Sequence, residues 1–346
     1  MRRTMVALGA VAALGAMDGL AWRIGVAQLD RGADRWIAQA RAHGWDVASG
    51  ERRRSGWPFA ATLEIDDVHL AGGARLLPGG LAWATPHMTL RVALAHPAIL
   101  AVEAGGTQHL RLSHAPEIVL NAATLDARIG LLLQPAGGLV QARDVTAGLL
   151  GSGHPADVRV GSLSLAVADA GAAGPAWQAA RLDFTSLGVG LPDIGRWPLG
   201  GFVASFGGTV GLTSIPGEKA DIGSTPENQA RAWRDAGGRL ELSSVSLHWG
   251  PLLLSAAATL GLDDRLQPFG KGSVDLEGSA AALDALAAGG VIAPGLAATV
   301  QALLAVMPAT PDRHRVRLRF EIRDSTLSVG RIPVVRLHDV SWRKPN

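Results

Sequence analysis

The chain has 346 residues, of which 48% are hydrophobic before its 44 glycines are counted and only 18% are charged, with a net charge of +2. That is ample apolar material for one large core or two ordinary ones, and a charged share below the usual quarter. The absence of cysteine excludes a disulfide framework, a thiol nucleophile and Cys-type zinc or iron–sulfur sites.

The chain opens with Arg2 and Arg3, followed by the apolar run Thr4–Met17, then Asp18 and Gly-Leu-Ala-Trp. A basic start before such a run matches an export signal. Spanning a bilayer takes about 20 residues, a length reached by Met5–Ile24 with Asp18 near the outer end and Trp22 and Arg23 as interface anchors. A carboxylate costs about 2.5–3.5 kcal/mol at the membrane centre and less toward the boundary. Residues 1–24 are therefore read as a signal-anchor, in preference to a signal peptide cleaved after Ala13/Gly15 or Gly19/Ala21. Either reading places the remainder on the far side of the inner membrane.

Residues 25–44 follow as an amphipathic helix. Val26, Leu29, Ala33, Trp36, Ile37 and Ala40 share one face, and Gly44 supplies a C-terminal stop. The polar face mixes charge signs, which favours docking on the body over lying on the bilayer. The next basic run, Arg52-Arg53-Arg54, is read as a solvated strand entry, and no known motif beside it supports nucleic-acid binding.

From Gly56 the period changes to two. Phe59, Ala61, Leu63 and Ile65 alternate with Ala60, Thr62, Glu64 and Asp66, and alternation recurs at Met88–Leu94, Leu125–Leu133, Val158–Val167, Leu240–Trp249, Leu252–Leu262, Val274–Leu276 and Val316–Ile322. In the last of these Val316, Leu318, Phe320 and Ile322 oppose Arg315, Arg317, Arg319, Glu321 and Arg323. Short strands separated by turn residues predict an antiparallel meander rather than βαβ units. Residues 127–134 and 252–262 carry small or apolar side chains on both faces, so they need cover on both sides or a greasy partner on one.

Gly-Ala-Ala-Gly-Pro at 171–175 is a candidate boundary between two halves of a body running from 45 to 346. Thr225-Pro226-Glu227 predicts a helix start, with a stop at Gly237-Gly238. Ala280–Ala288 and Pro294–Val306, separated by Gly289-Gly290, predict a helical hairpin lying on the sheet.

No catalytic pattern is present: the serine elbow, the phosphate-binding loop and paired helical histidines are all missing. Gly151-Ser152-Gly153 is followed by Pro155 and a strand, the wrong context for a dinucleotide site. His109 and His114 lack carboxylate neighbours in sequence to complete a ligand set, and Asp66-Asp67 reads as a turn at a strand end. Trp57, Trp83, Trp197 and Trp249 suit sheet corners and groove rims. The expectation is a non-enzyme with no cofactor and no metal.

The runs SGWPFAATLEIDDVHL (55–70), WATPHMTLRVALAHP (83–97), LHWGPLLLSAAATLGLDDRLQPFGKGSVDLEG (247–278) and LRFEIRDSTLSVGRIPVVRL (318–337) occur in that order. Together they resemble an uncharacterised envelope family, domain of unknown function 2125, typical of alphaproteobacteria; Trp57-Pro58-Phe59 stands where a Phe-Pro-Phe-like element is more usual. The resemblance implies an N-terminal anchor and an exported β-rich body, and transfers no catalytic residue. More loosely the chain is similar to AsmA-like proteins, whose curved sheets form apolar grooves associated with lipid transport or outer-membrane homeostasis.

The combined expectation is an α+β, predominantly β fold: a long curved antiparallel sheet, as groove or half-barrel, with an N-terminal helix and a C-terminal helical hairpin packed on it. Its expected role is a single-anchor inner-membrane protein whose periplasmic body binds phospholipid or another apolar ligand. The alternative is a non-catalytic scaffold for another envelope protein. Leu131, Leu133, Leu163, Leu165, Leu252 and Leu254 are the candidate groove residues.

Overall fold

The computed structural model describes residues 2–72, 80–112, 116–131, 137–149, 158–168, 180–192, 197–213, 225–290, 292, 295, 297–298, 301–302, 315–330 and 332–342. Of the side chains of residues 2–17, Ala21, Leu149, Pro226 and Gln229 nothing is described. Contacts divide the chain into two compact units, Met1–Val140 and Gln141–Asn346. The 171–175 run proposed as a boundary lies outside the described residues.

The first unit begins with one continuous helix, α1 (Arg2–Ala42). The sequence suggests an anchor over 1–24 and a separate docking helix over 25–44, but no proline interrupts residues 2–42 and the backbone runs through both as one helix. Gly44, at φ +83°, ends the helix as expected: its N–H donates to Arg41 O, and Trp45 N–H to Ala40 O. Among the described residues no helix is long and apolar enough to cross a membrane.

Among the described residues eight strands lie wholly in this unit: β1 (Asp46–Ala48), β2 (Arg52–Ser55), β3 (Ala60–Gly72), β4 (Leu81–Ala93), β5 (Ile99–Gly105), β6 (Gln108–Leu112), β7 (Ile118–Asn121) and β8 (Thr124–Gly130). The long β3 pairs with β1, β2 and β4, and β4 in turn with β5 and β6, all antiparallel. The alternation beginning at Phe59 is thus a real strand, longer than its sequence signal.

Asp66-Asp67 is not a turn but the middle of β3. Asp67 takes φ +48°, in the left-handed region that Asp tolerates. The chain turns there so that Val68 joins the apolar face of Leu63 and Ile65 despite odd spacing. These three are buried and pack with Leu29 and Ala33 of α1 and with Trp83, Met88 and Leu90 of β4. The amphipathic half of α1 therefore docks on the sheet, as its mixed-sign polar face suggests, although Trp36 of the expected apolar face is exposed. Gly25 permits the close approach: a β-carbon there would stand 3.2 Å from Ala61 Cβ.

The basic run forms β2 and is consumed in ion pairs. Arg52 bonds Asp30 (2.9 Å) and Asp34 (2.7 Å) of α1, Arg54 bonds Asp30, and Arg53 bonds Asp66 (2.9 Å). These bonds hold Asp30 below the usual carboxylate range, first through the Arg54 hydrogen bond, and raise the Arg52 guanidinium, first through Asp34.

β9 (Gly138–Leu149) crosses the boundary between the units. In the second unit β10 (Val158–Ala168), β11 (Ala180–Gly190), β12 (Phe202–Leu212), β13 (Leu240–Trp249), β14 (Leu252–Leu262), β15 (Pro268–Glu277), β16 (Arg315–Arg323), β17 (Thr326–Val329) and β18 (Ile332–Arg336) follow as an unbroken antiparallel meander. Consecutive strands pair because tight turns join many of them. Gly250 (φ +54°) begins the two-residue β13–β14 turn, and Asp324 and Ser325 (φ +50° and +55°) make a type I′ turn before β17. The chain is therefore mostly antiparallel β-structure, as expected.

Helix α2 (Pro226–Asp235) starts where Thr225 predicts, with the Thr225 hydroxyl accepting from Asn228 N–H at 3.3 Å. Helix α3 (Ser279–Ala288) is the first arm of the expected hairpin. Of the second arm, Pro294–Val306, residues 295, 297, 298, 301 and 302 are helical, and Gln301 donates to Asp284 of α3 at 2.7 Å. The rest lies outside the described residues, so no complete hairpin is seen.

Candidate functional site

Because side chains alternate along a strand, register decides which residues share a face. Across the second unit, Leu163, Ser186, Phe206, Leu247, Leu254, Leu276 and Val316 stand opposite one another from β10 to β16. A second row runs Leu165, Phe184 and Gly208, then Val245, Ala256, Val274 and Leu318. The two halves of that row meet at a β-bulge, where Ser244 takes φ +54° and a β-carbon on Gly208 would lie 3.0 Å from Val245 Cα. Neither row contains an ionisable residue.

Four of the six groove candidates fall on this face. Leu163 and Leu165 belong to β10; Leu254 is in the first row, and Leu252 lies two residues before it on the same face of β14. Leu163 is 41% exposed, while Leu165, Leu252 and Leu254 are half-buried. Leu131 belongs to the first unit, just past the end of β8, and is exposed. Leu133 lies outside the described residues. The structure thus assembles four candidates on one sheet face and leaves Leu131 apart from them.

The aromatic members of the face have no clear sequence signal. Phe184 and Phe206 pack with ring centroids 5.1 Å apart, and Phe206 remains 43% exposed. Phe206 is followed by Gly207-Gly208, which interrupts the alternation that would have marked β12. Phe202, at the start of the same strand, is 58% exposed. Within the two rows only Leu318 and Ser186 are buried. Trp197 and Trp249 form a corner beside this sheet, as expected of them: their rings are 6.4 Å apart, and Trp249 Nε1 donates to Gly200 O at 2.7 Å.

The opposite face is largely polar and internally paired, although Leu187 and Leu253 stand exposed on it. Arg181 binds Asp183 through two hydrogen bonds, and Thr209, directly across on β12, donates to the same carboxylate. Asp275 and Arg317 are likewise directly opposed, with contacts of 2.7 and 2.8 Å. Both carboxyls are held below the usual range, Asp183 mainly by the Arg181 hydrogen bond and Asp275 mainly by that from Arg317. A hollow of about 510 Å³ over β13–β16 is lined by residues that include Glu241, Ser243, Lys271, Arg319 and Glu321. None of the four leucines lines it.

In the first unit a hollow of about 430 Å³ is lined by Asp46, His69, Trp83, His109, Arg111 and Glu117 among others. His109 Nδ1 lies 2.6 Å from Glu117 Oε1, a carboxylate neighbour that the sequence spacing does not suggest. His114 lies outside the described residues, and among the described residues no three His, Asp or Glu side chains converge as a metal would require.

A model of a bacterial protein family, described as an uncharacterised protein conserved in bacteria (domain of unknown function 2125), matches residues 22–338. The chain belongs to that family. The match takes in both units and begins inside α1, at Trp22, where the helix meets β2. Neither a curated protein nor a solved structure matches the chain. The matched range includes all four ordered motifs of the sequence.

Proposed function

We propose that the chain is a membrane-anchored periplasmic protein that holds lipid, or another apolar ligand of similar shape, in maintenance of the cell envelope. The observation that carries this reading is the pair of uncharged rows across β10–β16, where Leu163 and Phe206 keep more than two-fifths of their surface exposed. A monomeric soluble protein seldom leaves a contiguous apolar patch of that kind without a partner. Burial against acyl chains would recover roughly 25 cal/mol for each Å² removed from water. The anchor reading is supported by Arg2 and Arg3 ahead of the Thr4–Met17 run, on a helix that continues into the body.

The test is lipid retention by the full chain. Protein extracted in mild detergent and washed extensively should carry phospholipid that mass spectrometry detects after organic extraction. The double variant Leu163→Glu/Phe206→Glu should lose most of it, because two carboxylates would then face the acyl chains. Equal retention in both proteins, or none in either, contradicts the proposal. Co-purification of a single envelope protein that the double variant releases, with no lipid, favours the scaffold reading instead.

A further inference from the structure

The turn between β2 and β3 carries an apolar tip that the sheet does not need. Phe59 is 78% exposed and Trp57 59%, on either side of Pro58. This tip is held firmly. Phe59 and Ala60 N–H both donate to Gly56 O, and Gly56 sits at φ +95°, where a β-carbon would come within 2.4 Å of Thr62 Oγ1. Trp22 of α1 donates from Nε1 to Ser55 O at 3.2 Å, and Trp57 Nε1 lies 3.9 Å from where a β-carbon on Gly19 would stand. The tip is thereby fixed level with residues 19–22 of the helix. Leu20 (60% exposed) and Ile24 (54%) add further apolar surface at that level.

We propose that Trp57, Pro58 and Phe59, with Leu20, Trp22 and Ile24, form a foot that enters the lipid–water interface beside the anchor. The inference rests on the anchor reading above. Its occupant follows from continuity: α1 rises about 1.5 Å per residue, so the foot begins within about one turn of Met17, the end of the apolar run. A span over Met5–Ile24 brings its outer end, from Gly19 onward, toward the headgroup layer, where Trp is favoured and Arg, here the exposed Arg23, meets phosphate. The foot would fix the tilt and rotation of the first unit on the membrane.

The natural chain has no cysteine, so one introduced thiol gives one label. Full-length Phe59→Cys carrying an environment-sensitive fluorophore, reconstituted in phosphatidylcholine/phosphatidylglycerol vesicles, is compared with Ala123→Cys in the exposed β7–β8 turn. Trp57→Cys provides a second reporter should the first misfold. Emission at 59 and 57 should shift to the blue and lose most of its intensity to lipids bearing a nitroxide near the headgroup, less to lipids bearing it near the chain end. The Ala123 label should lose little to either. If the protein floats with the vesicles while labels at 57 and 59 behave like that at 123, the foot is refuted and the anchor stands. If the protein fails to float at all, anchor and foot fall together.

Discussion

In the first unit Leu63, Ile65 and Val68 disappear beneath α1, whereas in the second the apolar rows of β10–β16 keep Leu163 and Phe206 more than two-fifths exposed. Both sheets have the same construction, alternating strands in antiparallel register. They differ in their cover. The first unit has a long helix pinned by Arg52 and Arg54 to Asp30, with Gly25 allowing close contact at Ala61. The second has α2 and α3, ten residues each, whose buried residues include Ala230 and Ala282. A small side chain such as alanine fills little space over a sheet, and each of these helices has about a quarter of the length of α1. The difference separates a face closed by a helix from a face that keeps large apolar side chains in solvent.

The largest expected contrast is in core truncation. Leu63→Ala, at a fully buried site, should cost about 3–5 kcal/mol in urea denaturation. Leu254→Ala, at a half-buried site, should cost about 1 kcal/mol. Equal losses would show that the second face is as closed as the first and would break the comparison.

The next effect concerns the pins. Asp30→Asn should cost about 1–3 kcal/mol, because it weakens charge-assisted bonds to two arginines. The Asp30 carboxyl is held low by Arg54 and Arg52, so its contribution is full above the unfolded carboxylate value, about 3.9. It is lost as pH falls through the still lower folded value. The protection of β2 amides, relative to their intrinsic exchange rate at each pH, should therefore fall on acidification in the natural protein, whereas in Asp30→Asn it should be low already at neutral pH. The opposite pH trend would detach α1's cover from this pair.

Smaller still is the capping effect. Thr225→Ala removes the hydroxyl that caps α2 and should cost about 1 kcal/mol, seen as faster exchange in α2 with β3 unchanged. A response in β3 would mean that the two units do not stabilise their covers separately.

Much of this was legible in the sequence, for physical reasons that differ from place to place. Thr225-Pro226-Glu227 marked α2 because capping, proline at the first turn and an acidic residue all act locally. β16 was legible because its arginines and apolar residues alternate without a break. β11 and β12 were not, since Gly188, Gly190, Gly207, Gly208 and Gly211 dilute their alternation. The break at Asp67 was also hidden: a left-handed residue inside a strand looks, in sequence, like a turn. For the candidate face, the parity of Leu163 with Leu165 and of Leu252 with Leu254 was readable. That all four share a face depends on the register carried from β10 through β11, β12 and β13 to β14, which no composition signal announces.

The most direct measurement is photo-crosslinking in intact cells from a benzoylphenylalanine placed at Phe206, with His248 on the polar face as control. The account predicts a lipid adduct on Phe206→benzoylphenylalanine, seen as an intact-mass increase of phospholipid size, and none from position 248. An adduct to protein alone, or the same yield from both faces, would contradict it.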